Sequence, residues 1–303
     1  MPVLPVTDPS DPRLAPYTSI REKDLTSGHG ARFIVEGKVT LETLLTRSHF
    51  AVESVFLAES RPEPLADLLA LVPHDVPVYV APQDIMDRVA GFPMHRGVLA
   101  CGLKGNVPAP AEFLHPPPLA GEVAPKGSEG EILSDGTGGP PPPLGTSPRK
   151  RGETVPLLLL SDLSNHDNVG ACFRNAAAFG AGAVLLDGQC CDPLYRKAIR
   201  VSSGASLFLP FAHGGTGAEM VEAVKAAGYT VWAMTPHADA APLRSLTIPD
   251  RLAILLGAEG PGLPGELIAA CTPVRIPMSA GFDSINVATA GAIALAHAFD
   301  RGA

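Results

Sequence analysis

Hydrophobic and polar positions along the chain form two blocks of alternating elements, separated by a stretch with no period. In the first block, residues 30–105, Arg32 to Gly37 reads as a strand and turn, and Val39 to Leu45 carries helical spacing. Ser54 to Leu57 is a strand, Pro64 to Leu71 a helix, and Val76 to Val80 another strand. Pro82 opens a short helix holding Ile85 and Val89, because proline fits the first turn, where its missing N–H has no partner to lose. Gly97 to Cys101 closes a small α/β domain.

The second block runs from 153 to 303. Val155 to Leu160 is a continuous apolar run, the pattern of a strand covered on both faces. Val169 to Phe179 is a helix stopped by Gly180, and Ala183 to Leu186 a strand. Pro193 to Val201 reads as a helix, Leu207 to Leu209 as a strand, and Ala218 to Ala227 as a helix ending at Gly228. Tyr229 to Met234, Leu252 to Leu256 and Val274 to Ile276 are extended, and Val287 to Phe299 is an Ala-rich closing helix. Strands alternating with helices predict a mainly parallel sheet, whose ligands sit beyond the strands' C-terminal ends.

Between the blocks, residues 107–150 hold 11 Pro and 7 Gly, so neither a helix nor a strand pattern survives. The predicted organisation is a loose, Pro-rich tail over 1–26, an α/β domain over 27–106, a Pro/Gly-rich linker over 107–152 and a second α/β domain over 153–303.

Composition narrows the class. A chain of 303 residues, 46% hydrophobic and 18% charged, has enough apolar surface for a sizeable core. The net charge of −8 excludes a histone-like polycation but not a local basic patch. No apolar run reaches transmembrane length, and the start of the sequence lacks the blocks of a signal peptide, so a cytoplasmic protein is expected. Five cysteines, an odd number without Cys-x-x-Cys spacing, predict reduced thiols rather than disulfides or zinc, and the nine histidines show no metal-like spacing.

Three stretches carry more than packing. Ser161 to Ala176 runs from a buried strand through a polar loop into a helix bearing Arg174. Asn168 lies where an N-cap belongs, and Arg174 stands among apolar neighbours, which predicts a buried or cleft-facing guanidinium. Leu255 to Leu263 is a strand entering a loop with three glycines and Glu259. It reads as a plain turn or as backbone brought close to a ligand, and it matches neither a dinucleotide fingerprint nor a phosphate loop. Ile276 to Ala288 is a short strand, a loop of small residues and a helix start, where Ser284 and Asn286 serve as caps or as polar site residues.

In this order the three stretches resemble the signature motifs of the SpoU/TrmH family, 2′-O-ribose RNA methyltransferases of the SPOUT superfamily. The matching elements are Asn168-x5-Arg174, Gly257-Ala258-Glu259-Gly260, and Ile276-Pro277-Met278 followed by Ser284 to Ala288. The first block resembles the substrate-binding domain often found before that fold, through Phe33 to Gly37 and His95 to Val98. The resemblance implies a trefoil-knotted α/β domain, a homodimer formed through it, and S-adenosyl-L-methionine as cofactor with no metal. It places Gly257, Ile276 and Ile285 against the cofactor, largely through backbone groups, with Met278 lining the pocket. It makes Arg174 the catalytic arginine, either assisting removal of the 2′-OH proton or acting electrostatically, with Asn168, Glu259, Ser284 and Asn286 as companions and Glu259 orienting Arg174.

RNA contact needs positive charge. Arg196, Lys197 and Arg200 share a helix face and, with Arg149-Lys150-Arg151, are the candidate phosphate contacts. The expected activity is methylation of a ribose 2′-OH in ribosomal or transfer RNA. A non-catalytic RNA-binding relative and an unrelated nucleotide-dependent α/β enzyme are the competing readings.

Overall fold

The computed structural model describes residues 2–18, 32–60, 65–114 and 155–299. The first part contains strands β1 (Val3–Pro5), β2 (Arg32–Glu36), β3 (Ala51–Ala58), β4 (Val78–Ala81) and β5 (Val98–Leu103). Helices α1 (Ala15–Thr18), α2 (Lys38–Thr46), α3 (Ala66–Leu69) and α4 (Gln83–Ala90) lie between them. The sheet runs β1-β4-β3-β5-β2, with β5 antiparallel to both of its neighbours.

The predicted loose tail is corrected here. β1 pairs in parallel with the edge of β4, and Leu14 and Tyr17 are fully buried. The Tyr17 hydroxyl shares a 2.7 Å hydrogen bond with Ser54, and its ring packs on Phe56 at 5.3 Å. Prolines suit an edge strand, where a missing N–H faces outward, so a Pro-rich composition concealed a structured segment. Residues 19–26 lie outside the described residues.

The expected linker is also shorter at its start. Val107 packs on the apolar cluster shared by the two sheets, and α5 (Pro110–Leu114) lays Phe113 and Leu114 against a separate cluster of the second sheet. The His213 N–H donates to the Pro108 carbonyl at 3.0 Å, covering a strand edge that would otherwise be open. Residues 115–152, including Arg149, Lys150 and Arg151, lie outside the described residues.

The second part holds β6 (Leu157–Leu160), α6 (His166–Ala178), β7 (Ala183–Leu186), α7 (Arg196–Val201), β8 (Phe211–His213), α8 (Gly217–Ala226) and β9 (Thr230–Met234). It continues with β10 (Ala241–Pro242), β11 (Leu252–Leu256), α9 (Gly265–Ala269), β12 (Thr272–Arg275) and α10 (Val287–Phe299). Its seven strands are ordered β10-β12-β9-β11-β6-β7-β8, and every paired ladder is parallel. Leu157 to Leu160 are fully buried, as a strand covered on both faces requires. The strand expected at Leu207–Leu209 is instead a short 3-10 turn at Ala205–Leu207, and pairing starts only beyond Pro210, at Phe211. Gly204 there is left-handed with φ +83° and approaches Thr43 so closely that a Cβ would sit 3.1 Å from it.

The two sheets share one apolar core. Phe50 meets Phe211 at 6.3 Å between ring centroids, and Phe211 meets Phe173 edge-on at 5.7 Å. Around that seam, Arg196 pairs with Glu36 at 2.6 Å and Lys104 with Asp192 at 2.5 Å. The Arg47 guanidinium lies 3.6 Å from the Phe208 ring centroid.

Candidate active site

Three loops leave the C-terminal ends of the neighbouring strands β12, β9 and β11 and enclose a cavity of about 400 Å³. After β11 the chain folds back on itself, with Ala258 bridging Gly262 and the Gly262 N–H donating to the Ala258 carbonyl at 3.1 Å. Glycine at 257 is a packing requirement of this fold-back, since a Cβ there would lie 2.6 Å from the Leu263 backbone nitrogen. After β12, the Phe282 N–H donates to the Ser279 carbonyl at 3.2 Å, closing a turn in which Gly281 is left-handed. Gly257, Ile276, Met278 and Ile285 all line the cavity, together with Glu259, Ser284 and Asn286.

Asn168 and Arg174 are not among the lining residues, but Asn168 reaches the cavity through Asn286. Helix α6 begins three residues earlier than expected, capped by Asn165, whose side chain accepts from the Asp167 N–H at 2.8 Å. Asn168 is therefore not the cap. It is buried in the first turn, and its Oδ1 accepts a hydrogen bond from Asn286 Nδ2 at 2.9 Å. Asn286 in turn caps α10, its Oδ1 accepting from the Ala288 and Thr289 N–H groups at 2.9 and 3.2 Å. A second tie runs beside it, from Asn175 Nδ2 to the Ala288 carbonyl at 2.9 Å.

Arg174 corrects an expectation. It is exposed rather than buried, it lines neither this cavity nor the one beside it, and no described residue bonds or pairs with its guanidinium. The reason is how far α7 covers α6. α6 buries Asn168, Val169, Gly170, Cys172, Phe173 and Ala176; Gly170, one turn before Arg174 on the same side, packs on Ala198 of α7, and that side is open to water by position 174. Glu259 is exposed as well and forms no ion pair with Arg174, so the expected orienting contact is absent among the described residues. Glu259 does lie near the same helix. Burial, with the Glu259 carboxylate adding to it, pushes the Cys172 thiol up to about 12. Ser284 is exposed at the mouth of the cavity.

The candidate RNA contacts separate. Arg196 is engaged at the seam, paired with Glu36 and with its guanidinium 5.0 Å from the Phe92 ring centroid. Lys197 pairs with Asp167 at 2.7 Å, both about half exposed. Arg200 is exposed, and no described residue pairs with it. Helical spacing placed the three on one helix but could not see the carboxylates brought opposite two of them by the fold.

Sequence reading missed Met234, Thr235 and Pro236, which form one wall of the cavity, as well as Leu256 and Ala290. The rule that parallel sheets bind at strand C-termini, applied to the strand ending at Met234, points to them. Nothing in the local sequence marks Asn175, whose role depends on α10 lying across α6.

Among the described residues no helix is long and apolar enough to cross a membrane. Residues 156–296, a span that contains all three cavity loops, match the model of the SpoU rRNA Methylase family. Over 300 residues the chain is 36% identical to an uncharacterized tRNA/rRNA methyltransferase of Mycobacterium tuberculosis, covering 96% of this chain and 90% of that one. The chain belongs to the SpoU family. As a SpoU protein it is an RNA methyltransferase. More distant is a 23S rRNA (guanosine-2′-O-)-methyltransferase of Acinetobacter baylyi, 26% identical over 263 residues, 86% of this chain and 93% of that one. In fold the SpoU chain resembles an AdoMet-bound rRNA methyltransferase from Sinorhizobium meliloti, with a TM-score of 0.73, 19% identity and coverage of 99% and 98% of the two chains.

Proposed function

We propose that the protein transfers a methyl group from S-adenosyl-L-methionine to a ribose 2′-OH of ribosomal or transfer RNA, in the cytoplasm and as a homodimer through its C-terminal part. One observation carries the reading: two of the family's three stretches, 255–263 and 276–288, meet the β9 loop at one cavity beyond the C-terminal ends of β11, β12 and β9, and Asn168 of the remaining stretch is tied to that cavity through Asn286. That cavity suits the cofactor. Leu256, Ile276, Ile285 and Val287 supply an apolar slot, and the tight 257–263 fold-back brings backbone groups to its wall. When bound there, S-adenosyl-L-methionine supplies a methyl group on a positively charged sulfur. Gly257, Ile276, Met278 and Ile285 hold it in this reading. The knot of the family belongs to the same reading.

Arg174 supplies positive charge. A guanidinium stays protonated at any working pH, so Arg174 acts by donating hydrogen bonds to RNA phosphate or to the alkoxide that develops at the 2′ oxygen. It is exposed and no described residue bonds or pairs with it, so in this reading its donors serve RNA. Asn168 and Asn286, bonded at 2.9 Å, hold α6 and the cavity mouth in register, so that methyl donor and acceptor meet in line. Ser284 and Glu259 stand at that mouth as polar companions. The apolar side chains that α10 leaves partly exposed, Ile293 and Phe299, support the homodimer.

The test is transfer of labelled methyl from S-adenosyl-L-methionine to unmodified RNA, followed by digestion to nucleosides. A ribose-methylated nucleoside is the expected product. Intact binding of S-adenosylhomocysteine without any transfer would favour the non-catalytic relative instead.

A further inference from the structure

Beside the cofactor cavity lies a second one of about 470 Å³, with Pro236, Ile276 and Met278 common to both. Its remaining walls differ in chemistry. They carry His237, Arg275, Phe282 and Asp283, a set with an aromatic ring, a carboxylate and two cationic or proton-bearing groups. We infer that this cavity is the subsite for the target nucleobase, and that Asp283 selects guanine.

The geometry of the loop carries the first half. The turn Ser279 to Phe282, closed by its 3.2 Å backbone hydrogen bond and by left-handed Gly281, holds the Phe282 ring 69% exposed. This is the largest exposure of any large apolar side chain described. An aromatic ring held in water at the wall of a cavity that also carries charged groups is the platform on which unstacked RNA bases are received. The shared wall then sets the ribose of a base stacked on Phe282 at the junction of the two cavities, where the methyl donor must meet it.

Charge carries the second half. Asp283 is exposed, and no described residue bonds to its carboxylate. A carboxylate only accepts hydrogen bonds, and of the four bases guanine alone offers two adjacent N–H donors on its Watson–Crick edge. Adenine and cytosine offer one amino group, and uracil one imide N–H. On the same cavity, Arg275 uses its Nε to donate to the Ala240 carbonyl at 3.0 Å, which anchors the side chain and leaves its terminal nitrogens for a phosphate. His237, exposed on the same rim, adds a donor.

This inference rests on the methyl-transfer reading for its biological meaning, but its test does not. The full chain, saturated with S-adenosylhomocysteine, is titrated with guanosine 5′-monophosphate and uridine 5′-monophosphate by calorimetry. The guanosine nucleotide is expected to bind about tenfold tighter or more, the discrimination that a bidentate pair provides. Asp283→Asn should remove that preference. Phe282→Ala should weaken both nucleotides about fivefold or more, as lost stacking does, and Phe282→Tyr should restore them. Affinity for S-adenosylhomocysteine should stay within about twofold in all three variants. Equal or undetectable binding of the two nucleotides overturns the inference, as does an unchanged preference in Asp283→Asn. A tenfold loss of S-adenosylhomocysteine affinity in Phe282→Ala also overturns it, because the cavity would then belong to the cofactor. If wild-type protein shows the guanosine preference but methylates no RNA, the methyl-transfer reading falls and the base subsite stands. If it methylates RNA only at nucleosides other than guanosine, the subsite falls and the methyl-transfer reading stands.

Discussion

The seam between the two sheets and the rim of the cavity use charge in opposite ways. At the seam, charged groups are spent on structure: Arg196 holds Glu36, Lys104 holds Asp192, and Arg47 covers Phe208. At the rims of the two cavities Glu259, Ser284 and Asp283 are exposed, as is Arg174 on α6, and no described residue bonds or pairs with them. Paired, half-buried charges cannot turn to a ligand without leaving a partner stranded. Unpaired exposed ones can, and their substitution costs little stability. The same residue type therefore has separable jobs in the two places, and arginine at 174 and at 196 gives the sharpest contrast.

The largest effect is expected at Arg174. Arg174→Ala should reduce single-turnover methyl transfer about a hundredfold or more, the scale for removing one electrostatic stabiliser of the transition state. Its thermal melt should barely move, because the side chain is exposed and no described residue bonds or pairs with it. Arg174→Lys should remain severely impaired, since an ammonium lacks the planar, multi-donor fork. Near-wild-type turnover in a folded Arg174→Ala protein would refute the role assigned to this residue and dissolve the contrast with the seam.

Next in size is Gly257→Val. A side chain at 257 collides with the protein's own loop at Leu263 before it meets any ligand. Affinity for S-adenosylhomocysteine should therefore fall about tenfold or more, with a lowered melting temperature alongside. Weaker binding with an unchanged melt would mean that the added methyls fill only ligand space, as the sequence alone suggested.

Arg196→Ala comes third and is the counterpart of Arg174→Ala. Stranding the largely buried Glu36 carboxylate should cost about 1 to 3 kcal/mol in a denaturant melt. Glu36→Gln added to Arg196→Ala should recover part of that loss. Weakened RNA affinity with unaltered stability would return Arg196 to the phosphate contacts. A smaller change, about 1 kcal/mol, is expected of Asn175→Ala, which frees the first turn of α10 from α6. It should lower the methylation rate more than the RNA KM. The smallest effect belongs to Arg200→Ala, which should weaken RNA binding uniformly and reduce its salt slope by about one, read from binding at several salt concentrations.

Much of the second sheet was legible in the sequence. Leu252–Leu256 and Ala183–Leu186 are strands at the limits expected, and Val287–Phe299 is a helix with both of its predicted ends. Long apolar runs ended by glycine or polar loops leave few alternatives, and a parallel sheet follows from their alternation with helices. The tail and the start of the linker were misjudged for one shared reason. Composition counts prolines, whereas packing depends on where the missing N–H faces. Pro2 and Pro108 both give their carbonyls to a neighbouring strand at 2.9 and 3.0 Å, and for that a proline serves as well as any residue.

The motifs carried the family resemblance and the residues that line the cavity, because backbone-close glycines and short apolar strands are local features. Tertiary structure alone decided which polar groups meet. Asn168 and Asn286 are 118 positions apart, and only the laying of α10 across α6 brings them to 2.9 Å. Arg196 and Glu36, 160 positions apart, meet only because the two sheets share a core. Whether Arg174 was buried or open to water turned on where the packing of α7 on α6 stops, since Gly170, one turn earlier on the same side, is buried and Arg174 is exposed. The period of a helix gives its faces, but only the neighbouring elements decide how far along a face burial runs.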